Sequence, residues 1–296
     1  MSAPPMTVPD TGRRLYGLLM VSAGSVLWST AGLFVRALDM DVWTIHVWRS
    51  LFAAASLFVL IGIEHGRDAP RAIRAIGRPG LLAIPVSALS IVAYVAALRL
   101  TSVANVMIVY ATVPLLAAAV AFLWIGERAG RRTVIAAVVA LAGIAVMAGG
   151  AAGSGDMLGN ALALVMTLTF AVLVVMARRF PVLSMAVVNA FAALLCVAVA
   201  WPLMPSGMPD TRALILLALF GIATTALAYQ LFLVGARHIP SGEAGLLGLL
   251  DTVLSPLWVW LVFGEVPGVA ALLGGGLVLA AVVWYLGGGR PASGRD

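Results

Sequence analysis

Lysine is missing altogether. The 18 basic residues are all arginine, and only 12 acids stand against them in 296 residues. Cysteine is nearly missing too. Cys196, alone in an apolar run, excludes an internal disulfide or a zinc cluster of thiolates and reads as a small buried hydrophobe. Charge of either sign is scarce at 10% of residues, where a soluble domain carries roughly a quarter. No GxxxxGK[ST] loop occurs, so no built-in ATPase is expected. No small-residue cleavage site follows the first apolar run, which is about as long as the later ones, so a cleaved signal peptide is not expected either.

What fills the space is hydrophobic. Apolar residues make up 62% of the chain and the mean hydropathy is +1.09. Long apolar stretches separated by short polar links place such a chain in a bilayer. With roughly 20 apolar residues needed per crossing, ten spans are predicted: 15–35, 43–63, 80–98, 102–125, 133–149, 157–177, 183–203, 212–234, 242–263 and 267–286. Residues 1–12 and 290–296 are Pro/Ser/Gly-rich tails expected to be disordered.

The arginines set the topology. A pI near 10.4 invites nucleic acid, but these residues are spread over short links and form no patch, so no nucleic-acid partner is expected. On one side fall Arg13, Arg14, Arg67, Arg71, Arg74, Arg78, Arg128, Arg131, Arg132, Arg178, Arg179, Arg237, Arg290 and Arg295. The other side receives Arg36, Arg99 and Arg212, while Arg49 lies inside a span. The positive-inside rule then puts both termini in the cytoplasm.

The chain reads as one unit written twice. VPLLAAAVAFLWIGE at Val113–Glu127 and DTVLSPLWVWLVFGE at Asp251–Glu265 end on Gly-Glu pairs 138 residues apart, and Tyr94 and Tyr229 are 135 apart. The expected units are 13–150 and 151–289. Five spans per unit, an odd number, force the second copy to enter the membrane upside down. Such inverted repeats flank a binding site near the midplane, with alternating access as the halves rock.

DTVLSPLWVWLVFGE closely resembles the E-P-x-L-A-P-L-W-A-W-L-x-x-G-E signature of EamA-type drug/metabolite transporters. Its first-half echo is similar to the matching stretch of that family, as are LTSVANV at Leu100–Val106 and HIPSGEA at His238–Ala244. Asp251 stands where the signature has Glu, Thr252 where it has Pro, and Val113 leaves the first half without its acid. The resemblance implies an all-α polytopic protein with ten transmembrane helices as two inverted five-helix repeats around a central cavity. It further implies export of amino acids, aromatic or other neutral ones, and related metabolites across the bacterial inner membrane. A multidrug or other organic-metabolite efflux carrier of the same fold is the alternative.

Polar residues within spans should face the protein interior or a wet cavity. Helical spacing groups Gly17, Val21, Gly24, Ser25, Trp28 and Gly32; Ser87, Ser90 and Tyr94; Met107, Tyr110 and Pro114; Asn160, Ala163, Thr167 and Phe170; Gly221, Thr225, Ala228 and Phe232, with Tyr229 and Gln230 alongside; and Ala244, Gly248, Asp251, Ser255 and Trp258. Small residues on such stripes serve close helix packing. Ser25, Trp28, Ser90, Tyr94, Tyr110, Thr167, Tyr229, Gln230, Asp251 and Ser255 are the candidates for lining a substrate cavity, because a mid-span phenol or amide needs a partner.

Asp251, near mid-bilayer, is the sharpest signal: a proton-coupling group or a site for a substrate ammonium, or else a protonated acid bonded to a neighbouring helix. Pro114 and Pro256 are expected to kink their helices, freeing the carbonyls of Tyr110 and Thr252, either as gates or as simple curvature. Arg49, with His46 three residues earlier, is read as a structural tether that snorkels toward the outer surface, with contact to a substrate carboxylate as the other option. The Gly-Glu pairs are expected to end one helix and cap the next.

Other classes find less support. Intramembrane aspartyl proteolysis needs two facing carboxylates, and only Asp251 lies at depth. A serine hydrolase would need a Ser–His pair, and His46 is the only in-span histidine. A channel would want rings of charge or carbonyls in a symmetric oligomer. No enzymatic activity, cofactor or metal is expected, and a monomer suffices.

Overall fold

The computed structural model describes residues 11–126, 131–151, 156–180, 183–205, 207–236, 238, 247–248 and 250–287. Both expected tails, Glu127, Glu243 and Ala244 lie outside them, apart from the last residues of the first tail. Among the described residues the chain is helical and contains no strand. In order come α1 (Thr11–Ser29), α2 (Ala31–Ala37), α3 (Val42–His65), α4 (Ala69–Arg74), α5 (Gly77–Leu100), α6 (Val103–Tyr110) and α7 (Val113–Ile125). There follow α8 (Arg131–Ala151), α9 (Met157–Arg179), α10 (Met185–Ala200), α11 (Thr211–Gly221), α12 (Ala228–Ala236), α13 (Leu250–Phe263) and α14 (Val269–Gly287). A π-helical stretch, Ile222–Leu227, joins α11 to α12.

Local chemistry fixes the ends. Asp41, Ser102, Ser184 and Asp210 cap α3, α6, α10 and α11 by accepting from the backbone N–H of Trp43, Asn105, Val187 and Ala213. Gly126 and Gly264 end α7 and α13 at φ 74° and 70°, the left-handed turn that glycine adopts without a Cβ penalty. The two halves of the chain thus stop corresponding helices by the same device.

Among the described residues, length and apolar composition qualify six stretches to cross a membrane: Gly12–Ala37, Val42–Arg74, Gly77–Leu100, Met157–Ala177, Met185–Leu203 and Thr211–Gly235. The bent pair α6 and α7 makes a seventh if counted as one span. Shorter apolar helices at Val134–Val146, Leu250–Phe263 and Val269–Ala281 coincide with the remaining predicted spans. Half or more of each qualifying stretch is not buried by protein. Leucine, isoleucine and valine such as Val59, Ile63, Leu81, Leu123 and Leu272 face outward, as lipid solvation allows. Trp124, Trp201, Trp260 and Trp284 are half exposed among them.

Helix pairing has an exchange symmetry. α5 packs on α9 as α1 packs on α12; α6 and α7 pack on α9 as α13 packs on α1 and α2; α10 meets α5 as α3 meets α11. The pairs α3–α10, α8–α14 and α6–α13 map onto themselves. Glycines show the match at the atomic level. A Cβ on Gly159 would lie 2.7 Å from the Leu100 carbonyl carbon, and one on Gly235 would lie 2.7 Å from the Val21 nitrogen. Under the 138- and 135-residue offsets of the sequence these are corresponding contacts. Both crossings are antiparallel, since Gly17 and Val21 approach Gly235 while Gly24 approaches Ala228 and Phe232.

One local expectation is refined and another corrected. At Pro114 the bend is a full break: α6 ends at Tyr110, and α7 begins again with Pro114 in its first turn. The two segments meet at 43°. Pro256 does lie inside α13. Glu265 does not cap the helix that follows it. Its Oε1 accepts from the Val103 N–H at 3.0 Å, capping α6 of the other half, while Oε2 accepts from Arg36 Nε at 2.8 Å. A local capping rule misses this because the partners are brought in by helix packing, not by sequence.

Candidate functional site

The predicted cavity residues separate into three groups. Ser25 and Thr167 are fully buried, and their hydroxyls donate to carbonyls one turn back, Val21 and Ala163. Ser90 reaches across from α5 to the Met166 carbonyl of α9 at 3.2 Å, so it ties helices together. Trp28 packs at a tilt of 44° on Phe232 of α12 with ring centroids 5.0 Å apart, next to the close approach of Gly24 to the same helix.

A second group lies apart from these. Tyr229 packs against the cluster of Leu57, Ile61, Ala186, Val187, Ala190 and Ala226, within electrostatic reach of Glu64. Gln230 beside it is half-buried. The structure therefore parts Tyr229 from its sequence partner Tyr94.

The third group converges. Asp251, at the start of α13, is 8% exposed, and its carboxyl accepts from Thr252 Oγ1 at 3.2 Å. One turn on, Ser255 is fully buried with its hydroxyl unpartnered. The phenols of Tyr94 (α5) and Tyr110 (last residue of α6) both lie in the electrostatic field of Asp251, and Tyr94 also in that of Arg49. Tyr110 leans on Phe170 of α9 at 5.6 Å. Four helices from both halves, α3, α5, α6 and α13, thus bring polar groups into one zone where α6 breaks and α13 carries its proline. A helix break frees backbone carbonyls at such a point.

Arg49 stands in α3, 7% exposed, with Nη2 3.5 Å from Thr225 Oγ1 in the π-helical stretch and its guanidinium 4.5 Å above the Phe220 ring. The tether expected for it therefore consists of one long hydrogen bond and a ring face. His46, one turn before it on α3, is fully buried. Residue-level reading missed Phe220 and Ser50, which no motif marks; Ser50's neighbour Arg49 and the i, i+4 spacing from His46 were the only signals available.

Where α2, α5 and α13 end, Arg36 Nη2 donates to the Thr101 carbonyl at 2.9 Å and Thr101 Oγ1 donates to Asn160 Oδ1 at 3.1 Å. With Glu265 these contacts link α2, α6, α9 and the end of α13. Among the described residues no three of His, Cys, Asp and Glu gather as a metal site requires.

No curated protein matches the chain. Among solved structures that resemble it, one described only as a crystal structure of a protein shares 22% identity and a TM-score of 0.63, over 90% of this chain and 95% of that one. At that identity it speaks for the fold alone. The profile of the EamA-like transporter family matches twice, at residues 15–149 and 153–287. Those two matches coincide with the halves that the helix pairings exchange, and together they span nearly the whole sequence. A multi-pass, all-helical membrane protein built from two such copies, this chain belongs to the EamA-like transporter family.

Proposed function

We propose that the protein is a secondary transporter that exports amino acids, aromatic or other neutral ones, from the bacterial cytoplasm by alternating access. Ten crossings carry the chain, with both ends inside, and the two units at 13–150 and 151–289 are inverted about an axis in the membrane plane. The antiparallel crossings that exchange between halves support this arrangement, as does the arginine bias of the links.

One observation carries the reading: the polar zone of half-buried Tyr94 and Tyr110 with buried Asp251 and Ser255, contributed by both halves. A carboxyl there attracts an ammonium or exchanges a proton, aromatic rings accept an apolar side chain, and phenols and hydroxyls satisfy the remaining polar atoms. Half-helix breaks at Tyr110–Val113 give the zone a place to bend as the halves rock. No step in this cycle makes or breaks a covalent bond, so the protein acts as a carrier and not as an enzyme.

Proteoliposomes containing the purified protein and preloaded with unlabelled amino acid should draw in the labelled form by counterflow, with saturation. Uptake of organic-cation drugs in place of every amino acid would favour the efflux alternative. Unsaturable conductance would mean a channel.

A further inference from the structure

One face of α3 holds three buried polar side chains at i, i+3 and i+4: His46, Arg49 and Ser50. Arg49 Nε and the Ser50 hydroxyl have no hydrogen-bond partner, and the His46 ring meets only the Val92 backbone of α5. Buried polar atoms in folded proteins are nearly always paired, so two adjacent orphans, one of them on a guanidinium, are unusual.

The charge makes it sharper. Among the described residues no carboxylate lies within ion-pair distance of Arg49, although Arg36 and Arg71 both have one. A guanidinium held away from water needs an anion or several good acceptors to offset its lost hydration. Arg49 has one acceptor at 3.5 Å, from Thr225, and the face of Phe220.

The neighbourhood is built to hold that geometry. Gly221 lets α11 come so close that a Cβ there would lie 2.5 Å from the Arg49 carbonyl oxygen. The π-helical stretch that follows turns Thr225 toward the guanidinium; such widened turns recur at functional sites. Phe220 is itself fixed by stacking on Phe34 at 5.3 Å. Only Nη2 has a partner there, and a planar fork with an unpartnered Nε suits the two oxygens of a carboxylate. Tyr94 lies within electrostatic reach of both Arg49 and Asp251, so the cationic and acidic groups belong to one neighbourhood.

We propose that Arg49, flanked by Ser50 and His46 on α3 and positioned by Thr225 and Phe220, is the anchor for the carboxylate of the transported molecule. The proposal deepens the amino-acid reading above and rests on it. It makes Asp251 and Arg49 the two poles of a site for a zwitterion, with specificity for the acid over its neutral amide.

The test compares phenylalanine with phenylalaninamide in counterflow through the full-length protein, with thermal stabilisation of detergent-purified protein by each compound as a second readout. Wild type is expected to prefer the acid at least tenfold. Arg49→Gln should lose that preference while still moving the amide. Arg49→Lys should keep part of it, because charge remains while the fork is lost. Thr225→Val should weaken the preference without unfolding the protein. Equal handling of acid and amide by the wild type, or an undiminished preference in Arg49→Gln, overturns the proposal and leaves amino-acid transport standing. Wild type that moves organic cations but neither compound overturns both.

Discussion

Arg36 and Glu265 are each about a quarter exposed, yet they hold four segments together at one end of the helices. Glu265→Ala leaves the Val103 N–H and the Arg36 guanidinium without their shared partner. The expected cost is about 1–3 kcal/mol, the range for stranding such groups, read as a lower unfolding temperature in detergent. An unchanged temperature would reduce the pair to a surface contact. Asp251 makes a different prediction. If it carries the coupling proton, Asp251→Asn should abolish uptake driven by a pH gradient while leaving counterflow intact; pH-gradient uptake at the wild-type rate would remove it from that role. Alanine at Tyr94, Tyr110 or Trp28 should lower flux with folded protein retained, and normal flux in all three would return them to packing. Of these residues the sequence exposed Asp251 and the tyrosines, because a polar group in a long apolar run announces itself. It gave no sign that Glu265 serves Val103 and Arg36, since those partners are far away along the chain and meet it only after the halves have packed.

At the scale of the element, glycine decides how near two helices come. Small-residue stripes on α1 were legible as packing or cavity wall, and the structure makes Gly17 and Gly24 contacts of α12. Gly235→Ala would press a methyl to 2.7 Å from backbone atoms on α1, and Gly159→Ala would do the same against Leu100 and Thr101. Neither obstacle is the tip of a flexible side chain, so the helices must move apart, at about 1–3 kcal/mol each. Gly62 in α3 has nothing within 4 Å of a built Cβ. Gly62→Ala should therefore be neutral or stabilise by about 0.5–1 kcal/mol through the helix preference of alanine. Thermal unfolding of the three variants checks the ranking. Gly126 and Gly264 were readable as helix ends because each closes an apolar run. The π-helical stretch was not readable, because it follows from how closely Gly221 seats α11 on α3 and from no local breaker.

For the whole molecule, the decisive quantity is orientation. The in-plane axis we propose would relate the Val21–Gly235 crossing to the Leu100–Gly159 crossing, and it would place the first near one membrane surface and the second near the other. The chain contains what such an axis needs: corresponding residues, antiparallel pairs, and matching glycine caps on α7 and α13. Sequence made the repeat visible through its Gly-Glu ends but left the pairing of helices between halves open, because which faces meet depends on small residues scattered along eight or more turns. The lone cysteine makes the test direct. Cys196 is buried, with Sγ donating to the Ala88 carbonyl, so replacing it by alanine gives a background free of thiols. Single cysteines at Asp39 and Met208 should then react with a membrane-impermeant maleimide added to intact cells. Those at Arg67 and Asp68 should react only after the membrane is opened. Labelling of Asp39 and Met208 from opposite sides would break the inverted arrangement, because both links then could not lie outside, and alternating access between two mirrored halves would go with it.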